Sequence, residues 1–411
     1  LAAIPHTLSS PKIVYRQAGD RYILVEYGEN NMDFNLSYRI HKLIDLVKEF
    51  NVGGIVEMSR GVRSVLIEYD ESISQKQLLQ TLLAIEKEIV TVNKWKVPSR
   101  IIKLPMAFED QKTLDAVKRY QETIRSDAPW LPNNVDFIAS INGVDRTDVR
   151  DMMYTARFMV LGLGDVFLGA PCAVPLDPRH RLLGTKYNPS RTFTPNGTVG
   201  IGGSYMCIYT MESPGGYQLV GRTVPIWDKL TLGSHSSSAK PWLLNPFDQV
   251  EFYPVSEAEI DKFTEQMEAG HFEVDIVDSV FDHEQYMHWV QENSASIEEF
   301  HEKQTGEKLE EFNKLIQVSN AELEAGKAGP ALSEDEKFSD DAEMVYSEYS
   351  GRFWKPLVEV NDTVKVGQGL IVVEAMKTEM VVAATKAGKV VKICHKNGDM
   401  VDAGDLVVVI E

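Results

Sequence analysis

The period of the apolar positions changes along the chain, and these changes divide it into segments. Tyr22 to Tyr27 (Y-I-L-V-E-Y) reads as a strand, whereas Leu36, Ile40, Leu43, Ile44 and Val47 recur at three- and four-residue spacing and predict a helix. Gly53-Gly54 ends that helix. Ile55 to Met58 and Ser64 to Tyr69 predict two strands about Arg60-Gly61, Leu78 to Val90 a second helix, and Arg100 to Met106 a closing strand. The order βαββαβ predicts a small ferredoxin-like α+β front over residues 1–108 with a scaffolding role.

Thr113 to Arg125 reads as helix, and Asp127 to Asn134 as a loop punctuated by Pro and Asn. From Tyr154 the texture changes to short β runs between glycines and prolines: Phe158-Met-Val-Leu161, Val199-Gly-Ile201, Cys207-Ile-Tyr209, Tyr217-Gln-Leu-Val220 and Val250-Glu-Phe-Tyr253. They predict a closed or sandwich-like β domain over 109–256, with any site in its polar loops. After Pro254 the pattern is helical and charged. Ser256-Glu-Ala-Glu259 has the form of a capping box opening a helix from about Glu257 to Ala269, and further helix is expected from Asp282 to Asn293 and from Ser296 to Val318. Ala325 to Asp341 is small, polar and acidic, which predicts a flexible linker completing a helical connector over 257–345. About 20 such residues span roughly 25 Å, enough for a following domain to swing between sites.

The last segment, 346–411, is β-rich and internally repeated. Val364 to Glu374 recurs loosely as Val401 to Glu411, so two similar β-halves are expected, and Lys377 falls at their junction between Ile371-Val372-Val373 and Val381-Val382. A lysine in a turn is by itself a solvated charge, but the neighbours of this one alter the reading. Glu374-Ala-Met376-Lys377-Thr-Glu-Met380 resembles the attachment site of biotinyl carrier domains, in which a ligase modifies the lysine between two Met-like positions. The resemblance implies a two-halved β-sandwich of the biotinyl/lipoyl carrier fold, biotin covalently held on Lys377 beside Met376, and a biotin ligase as partner. Thr378 departs from the pattern, since many carriers have a second Met there.

Length and charge bound the remaining possibilities. A chain of 411 residues holds two to four domains. With 42 Lys and Arg against 61 Asp and Glu, the net charge of −19 argues against a nucleic-acid or anionic-membrane surface. Cys172, Cys207 and Cys394 are too few and too scattered for a disulfide framework or a zinc knuckle, so a reducing, cytoplasmic compartment and no metal site are expected. No apolar run approaches eighteen residues, and no membrane span is expected. The ordinary leucine at position 1 leads us to expect a piece of a longer polypeptide.

The densest polar stretches are Gly162-Leu-Gly-Asp165-Val-Phe-Leu-Gly169, Leu176-Asp-Pro-Arg-His180-Arg, Lys186-Tyr-Asn188-Pro-Ser-Arg191, Gly200-Ile-Gly-Gly203 and Ser213 to Arg222. In this order they resemble the allophanate hydrolase subunit 1 family, over about Gly19 to Tyr253, and within it the form found in urea carboxylases. The resemblance implies a cyclophilin-like β-barrel behind the ferredoxin-like front, and a biotin-dependent ligase reaction that carries a carboxyl group to urea and forms allophanate. It also implies a biotin carboxylase domain and a subunit 2-like segment, neither of which is in this chain. No glycine-rich ATP loop is visible, so ATP and bicarbonate would be used elsewhere.

The residues suit that chemistry. Urea presents amide donors and one carbonyl, for which Asp165 and Asn188 are candidate partners; Arg191 or Arg222 can hold an oxyanion or carboxylate, and His180 is a candidate acid/base. Backbone amides around Gly202-Gly203 and Gly215-Gly216 are a candidate anion nest. A related small amide, such as guanidine or a lactam, is the alternative acceptor. From another class, the alternative is a non-catalytic protein-binding scaffold attached to a carrier.

Overall fold

The computed structural model describes residues 1–7, 10–29, 32–90, 96–164, 169–227, 241–304, 314, 317, 338–339, 342–375 and 378–411. Ile23, Val25 and Tyr27 are fully buried while Leu24 and Glu26 face the other way, so this segment exposes one face that must be covered. It is the third strand of an antiparallel sheet made from β1 (Ala2–Ile4), β2 (Ile13–Gln17), β3 (Tyr22–Tyr27), β4 (Ile55–Arg60) and β5 (Ser64–Tyr69), in the order β1-β2-β3-β5-β4. The cover is supplied by α1 (Phe34–Glu49) and α2 (Gln75–Val90), whose Ile40, Leu43, Val47, Leu78, Leu82 and Ile85 pack on Ile23, Val25 and Ile67. The ferredoxin-like order of the three central strands is present. Its fourth place, however, is filled by β2 and not by the expected closing strand at 100–106.

That expected closing strand lies inside β6 (Lys96–Phe108), which belongs to the barrel. The other barrel strands are β7 (Arg157–Leu163), β8 (Pro171–Pro175), β9 (Thr198–Gly202), β10 (Tyr205–Ile208), β11 (Gln218–Thr223) and β12 (Gln249–Pro254). They run β6-β12-β7-β8-β10-β9-β11 and close where Met106, Ala107 and Phe108 of β6 pair with Thr223, Arg222 and Gly221 of β11. Closure leaves no barrel edge to be protected. The free N-terminal part of β6 is taken by β13 (Asp275–Asp282), register Lys103↔Asp275 to Lys96↔Asp282, a strand within the stretch expected to be helical connector. Around the barrel lie α3 (Gln111–Thr123), α4 (Asn134–Asn142), α5 (Arg146–Thr155), α6 (Glu257–Glu268), α7 (His283–Glu292) and α8 (Ser294–Gln304). The capping box expected at α6 is formed, with Ser256 N–H on Glu259 Oε2 at 2.8 Å and Glu259 N–H on Ser256 Oγ at 3.3 Å. No helix among the described residues is long and apolar enough to cross a membrane.

Front and barrel share an aromatic seam of Phe34, Tyr38, Phe247 and Phe281 with Met159, Leu161 and Val174. His41 lies edge-on to Phe247 at 4.8 Å, and His283 lies 4.4 Å from Tyr38. Burial holds both imidazoles below their ordinary value of 6.5; Asp45 opposes this for His41, while Arg60, Lys48 and Lys42 add to it, and Asp33 and Asp282 oppose it for His283. Each histidine therefore contributes stability that is complete above pH 6.5 and is lost as pH falls towards its folded value, because the unfolded chain takes up the proton first. The thermal midpoint of 1–310 is expected to drop between pH 7.5 and about 5.5. A midpoint that stays level over that interval in calorimetry contradicts this.

The chain forms two compact units, Leu1–Glu310 and Glu311–Glu411. The second contains β14 (Glu343–Tyr346), β15 (Gly351–Pro356), β16 (Thr363–Val364), β17 (Gly369–Ala375), β18 (Thr378–Ala383), β19 (Gly388–Ile393), β20 (Met400–Val401) and β21 (Leu406–Ile410). Its two sheets run β14-β21-β19-β16 and β18-β17-β15-β20, so each half contributes two strands to each sheet. The repeat seen in sequence is a repeat of hydrogen bonds. Glu359 N–H meets Asp362 Oδ2 at 2.8 Å as Lys396 N–H meets Asp399 Oδ2 at 2.7 Å, and Gly367 N–H meets Ala384 O as Gly404 N–H meets Ser347 O, both at 2.8 Å. Gly367 (φ 81°) and Gly404 (φ 99°) take left-handed backbone at matching turns. The linker expected at 325–341 lies outside the described residues except for 338–339, and of the helix expected to 318 the part beyond 304 is described only at 314 and 317.

Candidate functional site

Strands β17 and β18 pair as Val372↔Val381, Val373↔Met380, Glu374↔Glu379 and Ala375↔Thr378. The two residues between Ala375 and Thr378 are Met376 and Lys377, which lie outside the described residues. The hairpin stem is locked: Ile371 and Val373 are fully buried, and Phe353 of β15 pairs with Val373. Glu374 and Glu379 flank the connection, opposite Arg352 and 3.9 Å from Lys355 respectively. A primary amine carried on the connection of a stem fixed on both sides fits covalent attachment of an acyl group such as biotin.

At the barrel, the K-Y-N-P-S-R loop is laid against the 215–218 segment. Tyr187 N–H donates to Gly216 O at 2.7 Å, Arg191 N–H to Gly215 O at 2.9 Å, Gly215 N–H to Arg191 O at 3.1 Å, and Gln218 Nε2 to Thr185 O at 2.8 Å. The Arg191 side chain clasps the same two segments. It is 1% exposed, donates to Tyr217 O at 2.7 Å, to Tyr209 Oη and Thr194 Oγ1 at 3.3 Å, and lies 4.3 Å from the Tyr187 ring centroid. No carboxylate among the described residues is within ion-pair distance of it, and among those residues its charge faces neutral oxygens and a π face. Asn188, half-buried, stands three residues before it in the same loop.

Arg222 and His180 lie elsewhere. Arg222 is five residues beyond Tyr217 along β11, about 16 Å at strand rise. Its guanidinium is taken by Asp110 Oδ2 at 2.5 Å and Asp261 Oδ1 at 2.8 Å, at the wall of an open cleft of about 380 Å³ that includes Asn196, Glu212 and Glu265. His180 ends a single 3-10 turn, Pro178–His180, in a loop that fastens the C-terminal helices to the barrel: Arg179 donates to Ser296 Oγ and Arg181 to Tyr286 Oη, each at 3.1 Å. Burial lowers the His180 pKa, with Asp177 opposing, and its buried Nδ1 has no hydrogen-bond partner among the described residues. Asp165 lies outside the described residues. The structure thus brings Asn188 and Arg191 together and sets Arg222 and His180 apart from them.

The anion nest is corrected. Gly215 N–H is used by Arg191 O, and Gly203 N–H by Gly184 O at 2.6 Å. A Cβ on Gly215 would collide with the Tyr209 hydroxyl and one on Gly202 with the Tyr217 ring, so these glycines are there to admit aromatic side chains. The partners absent from the sequence reading, Asp110, Asp261, Tyr209 and Thr194, carried no local signal. Thr194 meets Arg191 three residues along the same loop, whereas the other three meet their arginines through the barrel closure and the loops around it.

A family model described as carboxyltransferase domain, subdomain C and D, matches residues 13–234, and one described as biotin-requiring enzyme matches residues 343–410. The chain is 68% identical to the urea amidolyase of Lachancea kluyveri and 65% identical to that of Saccharomyces cerevisiae, in each case over 98% of the chain and 22% of the relative. It therefore spans about a fifth of the length of these curated relatives. The crystal structure of Kluyveromyces lactis urea carboxylase matches with 62% identity and a TM-score of 0.75, over 100% of this chain and 36% of that one. The first family match contains Asn188, Arg191, His180 and Arg222, and the second contains Lys377.

Proposed function

The chain belongs to the family of carboxyltransferase domains, subdomains C and D, followed by a biotin-requiring domain, and we propose that it supplies one wall of the transferase site and the carrier of a biotin-dependent urea carboxylase. The observation that carries this reading is the likeness to urea amidolyases over 98% of the chain, with the hairpin lysine and the Asn188–Arg191 loop in one polypeptide. Biotin, held as an amide on Lys377, supplies a carboxyl carrier, charged with ATP and bicarbonate in a domain outside this chain. The acceptor is urea. Its planar edge offers NH₂ donors and a carbonyl, which the Asn188 amide can match with its oxygen and its nitrogen, and Asp165 is a second acceptor for NH₂.

Transfer would form a bond from a urea nitrogen to the carboxyl carbon as the bond holding that carbon to the carrier breaks, and the proton lost by that nitrogen would pass to the carrier group left behind as allophanate forms. Negative charge on the reacting oxygens is favoured by the buried Arg191 charge, which meets no carboxylate among the described residues. His180 lies apart from the Asn188–Arg191 loop, in the turn that fastens the C-terminal helices to the barrel, and we assign it to that turn and not to the proton transfer. Arg222 we assign to holding α3 and α6, since Asp110 and Asp261 occupy its guanidinium. A biotin ligase must act on Lys377, and with Cys172, Cys207 and Cys394 in no disulfide among the described residues we place the protein in the cytoplasm.

The test is made in a polypeptide of the relatives' full length, biotinylated and folded. Asn188→Ala is expected to lower urea-dependent ADP release about 100-fold, with ATP consumption in the absence of urea as the reference. Urea-dependent turnover retained in that variant would favour the scaffold reading.

A further inference from the structure

Two consecutive carbonyls in the loop that carries Asn188 are held by long side chains from the end of one helix. We propose that Arg125 and Tyr120 are positioning residues that set the aim of Asn188 on the acceptor amide; the proposal rests on reading Asn188 as a substrate-binding residue. Arg125 Nη1 donates to Asn188 O at 2.7 Å, and Tyr120 Oη donates to Pro189 O at 2.9 Å. Tyr120 lies in the last turn of α3 and Arg125 two residues past its end, and Arg125 N–H also donates to Tyr120 O at 3.1 Å. The two clamping groups are therefore tied to each other as well as to the loop.

The burial of these groups makes the clamp stiff. The Arg125 side chain is 6% exposed and its carboxylate partner Asp127, at 3.2 Å, is 79% exposed, so its buried contacts are the Asn188 carbonyl and the Trp130 ring, 5.6 Å from the guanidinium carbon. A charge-assisted bond from a guanidinium that solvent barely reaches is stronger and more directional than one at the surface. Tyr120 is 1% exposed and meets Tyr187 edge-on at 4.7 Å. Tyr187 is itself fixed, with its hydroxyl donating to Asn134 Oδ1 at 2.7 Å and Arg191 across its face. Asn188 thus stands between a locked Tyr187 and a locked Pro189, and its own carbonyl is clamped. A backbone held at three successive residues leaves the side chain one origin and one direction. Small displacements of such an origin are costly, because a misplacement of about 1 Å in a reacting geometry lowers rate on the order of 100-fold.

The experiment uses a biotinylated polypeptide of the relatives' full length and two mild substitutions. Tyr120→Phe removes one hydroxyl and keeps the ring; Arg125→Lys keeps the charge and loses the planar fork. Each is expected to raise the KM for urea about tenfold, with ATP consumption in the absence of urea unchanged. In an Asn188→Ala background each should change urea-dependent kcat/KM by less than about twofold, since a residue acting through Asn188 has nothing left to position. A tenfold loss that persists in that background would show a merely structural role and overturn the proposal. So would an unchanged KM in both variants while Asn188→Ala is impaired. If Asn188→Ala alone is as active as the unsubstituted protein, the reading of Asn188 falls, and the clamp falls with it.

Discussion

Lys377→Arg abolishes biotin attachment. When the chain is co-expressed with a biotin ligase, its intact mass rises by one biotinyl group, the rise is absent in the variant, and urea-dependent turnover of a full-length protein carrying the change falls to background. Arginine is the informative replacement because it keeps the positive charge between Glu374 and Glu379 while its guanidinium, protonated at all accessible pH, cannot be acylated. The stem does not depend on the changed residue, since Ile371, Val373 and Val382 remain packed with Phe353 and Val390. Loss of the mass increase in a protein with unchanged circular dichroism and melting therefore reports the attachment point itself. A biotinyl mass that survives Lys377→Arg would place the modification on another lysine and remove the carrier from the proposed function.

Asp110→Ala is expected to destabilise the 1–310 unit by about 3–5 kcal/mol, the usual cost of stripping one partner from a buried ion pair. Asp110 is fully buried and does two things at once: its Oδ2 accepts from Arg222 Nε at 2.5 Å, and its Oδ1 accepts from Thr113 N–H at 3.1 Å as the N-cap of α3. Without it, Arg222, whose side chain is 6% exposed, keeps only Asp261, which is 46% exposed and in part screened. For a unit of this size the loss corresponds to roughly 5–8 °C in melting midpoint. Asp261→Ala leaves the buried pair intact and is expected to cost about 1 kcal/mol or less. Equal effects from the two substitutions would refute the assignment of Arg222 to holding the barrel closure.

Much of this protein was decided by the sequence alone, wherever the determinant is local. The alternation at 22–27 and 64–69, the helical spacing from Leu36 to Val47, the capping box at Ser256 and the hairpin about Lys377 each depend on neighbours within a few positions. The same is true of the carrier's internal repeat, whose turn residues at Gly367 and Gly404 adopt the backbone that their sequence offers. What the tertiary structure decided is which distant groups meet. Residues 100–106 read as the closing strand of the front, yet they pair with β12 and β13, because a barrel strand satisfies its backbone on both sides while the front sheet was already completed by β2. Arg191 and Arg222 read alike as loop cations. Among the described residues, folding gave Arg222 a buried and an exposed carboxylate and Arg191 carbonyl, hydroxyl and ring, and no local pattern distinguishes the two outcomes. Periodicity and turn chemistry act over a few residues and are written in the sequence. The choice of partner for a buried charge is made across more than a hundred positions, by the closure of the barrel that brings Asp110 to Arg222.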